Sequence, residues 1–298
     1  MRNKPKVVWL QAMACNGNTQ SFLSSNAQRF EQFLASFELL YHPGITYHTT
    51  LQNILTNEEQ IDFLLIEGAL SNERAFFSMH NKSLKEILKV LLKRTTHLIA
   101  IGSCASFGGV HAQFKEAKNE CLKDFLHTHK LVFKPKVIHL SGCPVHPEWI
   151  LQTLFMLKKF NQIDLDTQQR PIELYANLAH HGCTRNEYFE WKVQSQSFGV
   201  KEGCLFYDHG CQAPMTHSSC NKILWNDTSS KTRVGMPCIG CTEVDFPKEN
   251  LFETKKNMGI PAMVPLGISK RAYLSITGVA KTFTITRLNQ KLMNNENH

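Results

Sequence analysis

The sequence predicts an α/β fold with a parallel sheet over residues 1–170, joined to an irregular, cysteine-rich half over residues 171–298. Two observations carry this. In the first half, short apolar runs alternate with helical patterns, the signature of strands joined by crossover helices. In the second, six of the ten cysteines crowd between Cys183 and Cys241 among Gly, Pro, Asn, Ser and Thr, with little apolar periodicity. Such a segment has to be held by something besides side-chain burial, and thiolate–metal bonds would do it.

The elements follow in order. Lys6 to Leu10 reads as a strand, and Phe22 to Leu40 as one helical stretch with Phe22, Phe30, Phe33 and Leu34 on a buried face. Ile61 to Ile66 is a strand ending at Glu67-Gly68, Leu84 to Leu92 a helix, and His97 to Ile101 a strand ending at Gly102. Lys136 to Leu140 is the last strand, and Pro147 to Leu157 is a helix opened by its proline. A linker around Gln168-Gln169-Arg170-Pro171 leads into the second half. The tail, Leu251 to His298, carries a turn at Gly259-Ile260-Pro261 and a break at Leu266-Gly267. It reads as an extended or partly helical wrap that frays from Asn294.

Composition narrows the setting. At 298 residues with 42% hydrophobic content, the chain can bury a large core. Charged residues are only 19%, which hints at a surface buried against a partner. The net charge of +8 comes without a long Lys/Arg run, so nucleic-acid binding is not indicated. The first residues show no signal-peptide core and no twin-arginine leader, and no stretch is apolar for long enough to span a bilayer. A cytoplasmic protein is expected, reaching a membrane only through a partner. There, ten cysteines suit metal ligation or free thiols better than disulfides.

The cysteines fall into groups. Cys15, Cys104 and Cys143 each follow a predicted strand, where open α/β sheets build their sites, so residues far apart in sequence can meet at one edge. Glycines beside them, in Gly102-Ser103-Cys104 through Gly108-Gly109 and in Gly142-Cys143-Pro144, let the backbone come close to a bulky inorganic core. His180-x-x-Cys183, Cys204, Cys211, Cys220 and Cys238-x-x-Cys241 give seven further ligands, enough for one centre of four and one of three. Plainer readings compete. Cys121 is expected to be an inert small hydrophobe. His42, His146 and His217 are expected to be surface or satisfied core residues. Gly108-Gly109 lacks the Lys-Ser/Thr of a phosphate loop. A structural zinc domain could use the same cysteines, but a separate group at the sheet edge fits electron-relay clusters better.

These motifs resemble the small subunit of nickel–iron hydrogenases along essentially the whole chain. The resemblance rests on Trp9-Leu10 before Cys15, the Gly102–Gly109 and Gly142–Pro144 segments, Pro147-Glu148-Trp149, His180-x-x-Cys183, Gly210-Cys211-Gln212-Ala213-Pro214 and Pro237-Cys238-Ile239-Gly240-Cys241. The tail from Gly259 to Lys281 is similar to cytoplasmic uptake-type and hydrogen-sensing members, including the cyanobacterial uptake branch. The resemblance implies a flavodoxin-like first domain and an iron–sulfur cluster-binding second domain. It assigns Cys15, Cys104 and Cys143 to a proximal cluster. His180, Cys183, Cys204 and Cys211 would hold a distal [4Fe-4S] cluster, and Cys220, Cys238 and Cys241 a medial [3Fe-4S] cluster. It also implies a large-subunit partner that holds the nickel–iron centre, and an unidentified electron acceptor. A hydrogen sensor is the alternative to an uptake enzyme.

One departure stands out. Members of the family usually have a second cysteine three residues after the first, whereas here the segment is Cys15-Asn16-Gly17-Asn18. Three readings stay open. Asn18 ligates a proximal [4Fe-4S] cluster through its amide oxygen, another residue or water fills that corner, or the site holds three irons. Glu67, at a strand end, is a further oxygen donor for this position, and Cys121 could reach it only if its segment folds back.

Overall fold

The computed structural model describes residues 4–46, 49–79, 81–249, 251–257 and 259–282. Five parallel strands make the central sheet: β1 (Lys6–Gln11), β2 (Glu38–Tyr41), β3 (Ile61–Glu67), β4 (Thr95–Ile101) and β5 (Ile138–Leu140). Their order is β2-β1-β3-β4-β5, that of flavodoxin-like doubly wound sheets. Both faces of the sheet are buried, and the pleat sorts side chains between them. Val8, Leu10, Leu64 and Ile66 pack with Ile87, Leu88 and Leu91 of helix α4 (Leu84–Leu91). Val7, Trp9, Phe63 and Leu65 pack with Phe22, Phe33, Trp149 and Leu154 on the other side.

Before α4 the chain forms α1 (Gly17–Leu23), α2 (Ala27–Ser36) and α3 (Leu51–Thr56). The single helical stretch expected from Phe22 to Leu40 is therefore corrected. It is the end of α1, a break, α2 and the edge strand β2. The break has a local cause: the Asn26 side chain accepts the Gln28 N–H at 3.0 Å, which starts a new helix. Beyond α2 the chain pairs with β1, matching Lys6 to Glu38 and Val7 to Leu39. Three more helices complete this half: α5 (Gly102–Phe107), α6 (Leu122–Thr128) and α7 (Pro147–Phe160).

The chain around residue 170 is docked tightly. His139 N–H donates to Gln169 O at 2.9 Å. The buried Arg170 guanidinium bonds Asp166 Oδ2 at 2.8 Å and Thr242 O at 2.9 Å. Ser141 Oγ donates to the same Thr242 carbonyl at 2.8 Å, and Ser103 Oγ to the carbonyl of Cys241. The end of the cysteine-rich stretch is thus bonded to the start of α5 and to the loop that follows β5.

The second half is mostly irregular, with short helices α8 (Ile172–Tyr175) and α9 (Asn186–Glu190). It does have an apolar cluster of its own, in which Leu205, Phe206, Tyr207 and Met215 surround Cys204, Cys211 and Cys238. The tail forms a small antiparallel pair, Lys256–Asn257 with Ile260–Pro261, and then helix α10 (Lys270–Thr282), whose Tyr273 inserts into that cluster. The fraying expected from Asn294 lies outside the described residues.

Candidate metal centres

The loop after β1, the start of α5 directly after β4 and the loop after β5 gather Cys15, Cys104 and Cys143 at one sheet edge. Burial raises the thiols of Cys104 and Cys143, and Cys15 lies close enough to both to push them the same way. Glycine makes this approach possible. A Cβ on Gly109, at φ +50°, would lie 2.9 Å from Cys104 N and 3.0 Å from Cys104 Sγ. A Cβ on Gly17 would meet Cys15 Sγ at 3.3 Å and Pro144 Cβ at 3.7 Å.

Asn18 is buried between these segments. Its Oδ1 accepts the Val145 N–H at 2.9 Å, and its amide lies against Gly102, where a Cβ would come within 2.5 Å of Nδ2. One lone pair of the amide oxygen is therefore engaged and one is left.

Glu67, expected as a further oxygen donor to this corner, is spent elsewhere. Its Oε1 accepts the backbone N–H groups of Asn18 (3.1 Å) and Thr19 (3.2 Å). Its Oε2 accepts from Trp9 Nε1 (3.0 Å), Gln11 Nε2 (3.3 Å) and Thr19 Oγ1 (2.5 Å). Five donors on two oxygens make this buried carboxylate the anchor that fixes α1 to the sheet. Cys121 precedes α6, half-buried, and lines neither of the cavities described next.

Between the sheet edge and the second half lies a cavity of about 380 Å³. Cys220, Cys238 and Cys241 line it, and Cys143 shares the same wall with Trp149, Trp225 and Lys231. A second, tighter cavity is lined by His180, Cys183, Cys204 and Cys211 together with Arg185 and Pro214. The two groups touch, since Cys238 N–H donates to Cys211 Sγ at 3.4 Å.

The donor chemistry suits inorganic clusters. Burial pushes the thiols up, Cys143, Cys211 and Cys220 to about 11 and Cys204 to about 12. Buried thiols of this kind ionise when a metal supplies the positive charge. Burial also holds His180 down at about 4, so its imidazole is neutral, the form that binds metal. All ten cysteines are free. Among the described residues, no group of three or more His, Cys, Asp or Glu side chains is placed to hold a metal ion.

Sequence reasoning missed two residues beside these sulfurs. Arg185 is buried, donating its backbone N–H to Cys183 Sγ at 3.4 Å and its guanidinium to the carbonyls of Val200, Glu202, Gly203 and Thr232. His111 places Nδ1 3.2 Å from Cys104 Sγ. The spacing of the cysteines carries no signal for either residue.

Comparison with known proteins adds to this geometry. Residues 175–253 match the C-terminal family of the NiFe/NiFeSe hydrogenase small subunit, and residues 15–157 the family NADH ubiquinone oxidoreductase, 20 Kd subunit. The periplasmic [NiFe] hydrogenase small subunit 1 of Nitratidesulfovibrio vulgaris is 28% identical, over 82% of this chain and 80% of its own. The F420 non-reducing hydrogenase I small subunit of Methanosarcina mazei is 27% identical, over 86% and 77%. Among solved structures, the oxidised [NiFeSe] hydrogenase of Desulfovibrio vulgaris Hildenborough superposes with a TM-score of 0.74 at 27% identity, covering 84% of this chain and 98% of that one. The reduced Ni-Fe-Se hydrogenase of Desulfomicrobium baculatum gives 0.73 at 25% identity, covering 82% and 96%.

Proposed function

The chain belongs to the small subunits of nickel–iron hydrogenases, and on that premise we propose that it relays electrons from hydrogen oxidation in its large-subunit partner, through three iron–sulfur clusters, to an acceptor. One observation carries the relay: the three ligand groups are contiguous. Cys143 of the sheet-edge group lines the cavity of Cys220, Cys238 and Cys241, and Cys238 N–H reaches Cys211 of the distal group. Electrons can cross such a chain in short steps.

The roles follow from the donors. Cys15, Cys104 and Cys143 would hold the proximal cluster, and Asn18 Oδ1, which keeps one lone pair beyond its bond from Val145 N–H, would be an oxygen donor beside them. Cys220, Cys238 and Cys241 would hold a [3Fe-4S] cluster, and His180, Cys183, Cys204 and Cys211 a [4Fe-4S] cluster. When bound, the clusters supply one-electron acceptor sites. The chain's own residues keep these sites dry and fixed. Trp149 and Trp225 wall the central cavity, and N–H groups from Arg185 and Cys238 point at ligand sulfurs, favouring the reduced, more negative state.

A cytoplasmic uptake enzyme is the form we favour. The similarity of the tail from Gly259 to Lys281 to cytoplasmic uptake-type members supports it. Among the described residues no helix is long and apolar enough to cross a membrane. The test is anaerobic co-purification on a tagged chain, with iron and sulfide counting and a hydrogen-dependent dye assay. A co-purifying large subunit, iron with labile sulfide, and rapid dye reduction are expected. Zinc without iron would overturn the relay. Slow turnover with a bound kinase-like partner would favour sensing over uptake.

A further inference from the structure

His111 holds its imidazole against a ligand sulfur. Its Nδ1 lies 3.2 Å from Cys104 Sγ, a hydrogen-bonding distance for nitrogen and sulfur. The ring is held there by its turn. Gly108 and Gly109 take φ of +92° and +50°, folding the segment Gly109–Gln113 back over Cys104. Asn119 Nδ2 pins that turn by donating to His111 O at 3.0 Å.

A thiolate only accepts hydrogen bonds, so a nitrogen at this distance from it must carry the proton. We propose that His111 is a positioning residue for electron entry: it donates Nδ1–H to the Cys104 thiolate and raises the potential of the proximal cluster. The inference rests on the reading of Cys104 as a proximal ligand. A donor on a ligand sulfur stabilises the reduced cluster, which carries the extra negative charge, more than the oxidised one. This acts in the same direction as the missing fourth thiolate at Asn18. Both make the first site a better acceptor for electrons leaving the partner.

The test uses the purified heterodimer with His111→Leu and His111→Gln. Redox titration followed by electron paramagnetic resonance reads the proximal potential, and iron and sulfide counts establish that the clusters are in place. His111→Leu should keep its iron and show a lower proximal potential. His111→Gln, whose amide can still donate, should recover part of the shift. A fully loaded His111→Leu with the wild-type potential would overturn the proposal. Should the Leu variant lose iron, wild-type protein labelled with ¹⁵N-histidine decides. A weak nitrogen coupling on the reduced proximal cluster that disappears in His111→Gln supports the hydrogen bond, and its absence refutes it. Wild-type protein without iron or sulfide would instead sink the relay itself, a separate outcome.

Discussion

Asn18 Oδ1 accepts the Val145 N–H at 2.9 Å, tying the first turn of α1 to the loop after β5. On the proposed ligand set, the residue at the position of a fourth thiolate is therefore also a brace between the segments carrying Cys15 and Cys143. The two roles separate by substitution. Asn18→Cys supplies a negative ligand but leaves Val145 N–H without its acceptor, at about 1–3 kcal/mol for a buried donor. Asn18→Asp supplies a negative oxygen and keeps the acceptor. Both variants should lower the proximal potential, and only Asn18→Cys should also lower the thermal midpoint. An unchanged potential in both, with full iron content, would mean that the charge at position 18 does not set it.

Glu67→Gln tests the anchor beneath that turn. The swap keeps the shape but replaces an oxygen with an NH₂ that faces existing donors, including the backbone N–H groups of Asn18 and Thr19 or the Trp9 indole. Each buried donor left unpaired costs about 1–3 kcal/mol. Native-state hydrogen exchange at residues 18 and 19 should speed up by roughly tenfold or more, since about 1.4 kcal/mol is a factor of ten. Proximal iron should become labile. Unchanged exchange at both amides would show that α1 is held by other contacts.

What was legible in the sequence, and what was not, has a physical basis. The central strands show as apolar runs because both faces of the sheet are covered, and the glycines after them mark the tight turns where Cys104 and Cys143 sit. β2 was hidden because Leu39 and Leu40 are only half-buried at an edge, and their pattern continues the periodicity of α2. Cysteine spacing suggested the ligand groups, but it could not reveal that Cys143 borders the central cavity. His111, Arg185 and the engagement of Glu67 are contacts between loops and elements distant in sequence or turned back by glycine. No local periodicity encodes them.

His139 gives the fold a pH dependence. It lies on β5, 3% exposed, against the Phe107 ring. Burial pushes its pKa down to about 4, with Lys123 and Arg170 acting in the same direction and Asp166 against it. In the unfolded chain it titrates near about 6.5. Between those values the unfolded chain takes up a proton that the folded one refuses, so stability falls as pH drops through that window and is unaffected above it. His139→Phe removes the proton site. The loss in unfolding midpoint from about pH 7 to about pH 5 should be smaller in the variant than in wild type. Equal losses in the two proteins would rule His139 out as a source.

Gly109→Ala should strip one cluster and spare the others. The new methyl would press on Cys104 N and Sγ at 2.9 and 3.0 Å, in a left-handed backbone that disfavours side chains. Gly267→Ala is the control, for it has φ +85° but nothing within 4 Å of the added carbon. Loss of the proximal signal with medial and distal signals intact is expected for Gly109→Ala alone. Full iron content in that variant would mean the loop gives way, and Cys104 is less tightly held than its contacts imply.

The central group should control the flow of electrons without touching the chemistry that releases them. Cys238→Ala removes one of the four thiols lining the cavity but keeps the backbone N–H that reaches Cys211. The medial cluster should be lost while the His180 group keeps its iron. Electrons released in the partner would then have no intermediate stop between the sheet edge and the distal site. Hydrogen-driven dye reduction at the distal surface should fall to a small fraction of wild type. Isotope exchange between hydrogen and deuterated water, which needs only the partner's metal centre, should persist. If both activities fall together, Cys238 supports the assembly of the heterodimer as a whole; if dye reduction is untouched, electrons leave by a route that bypasses this cavity.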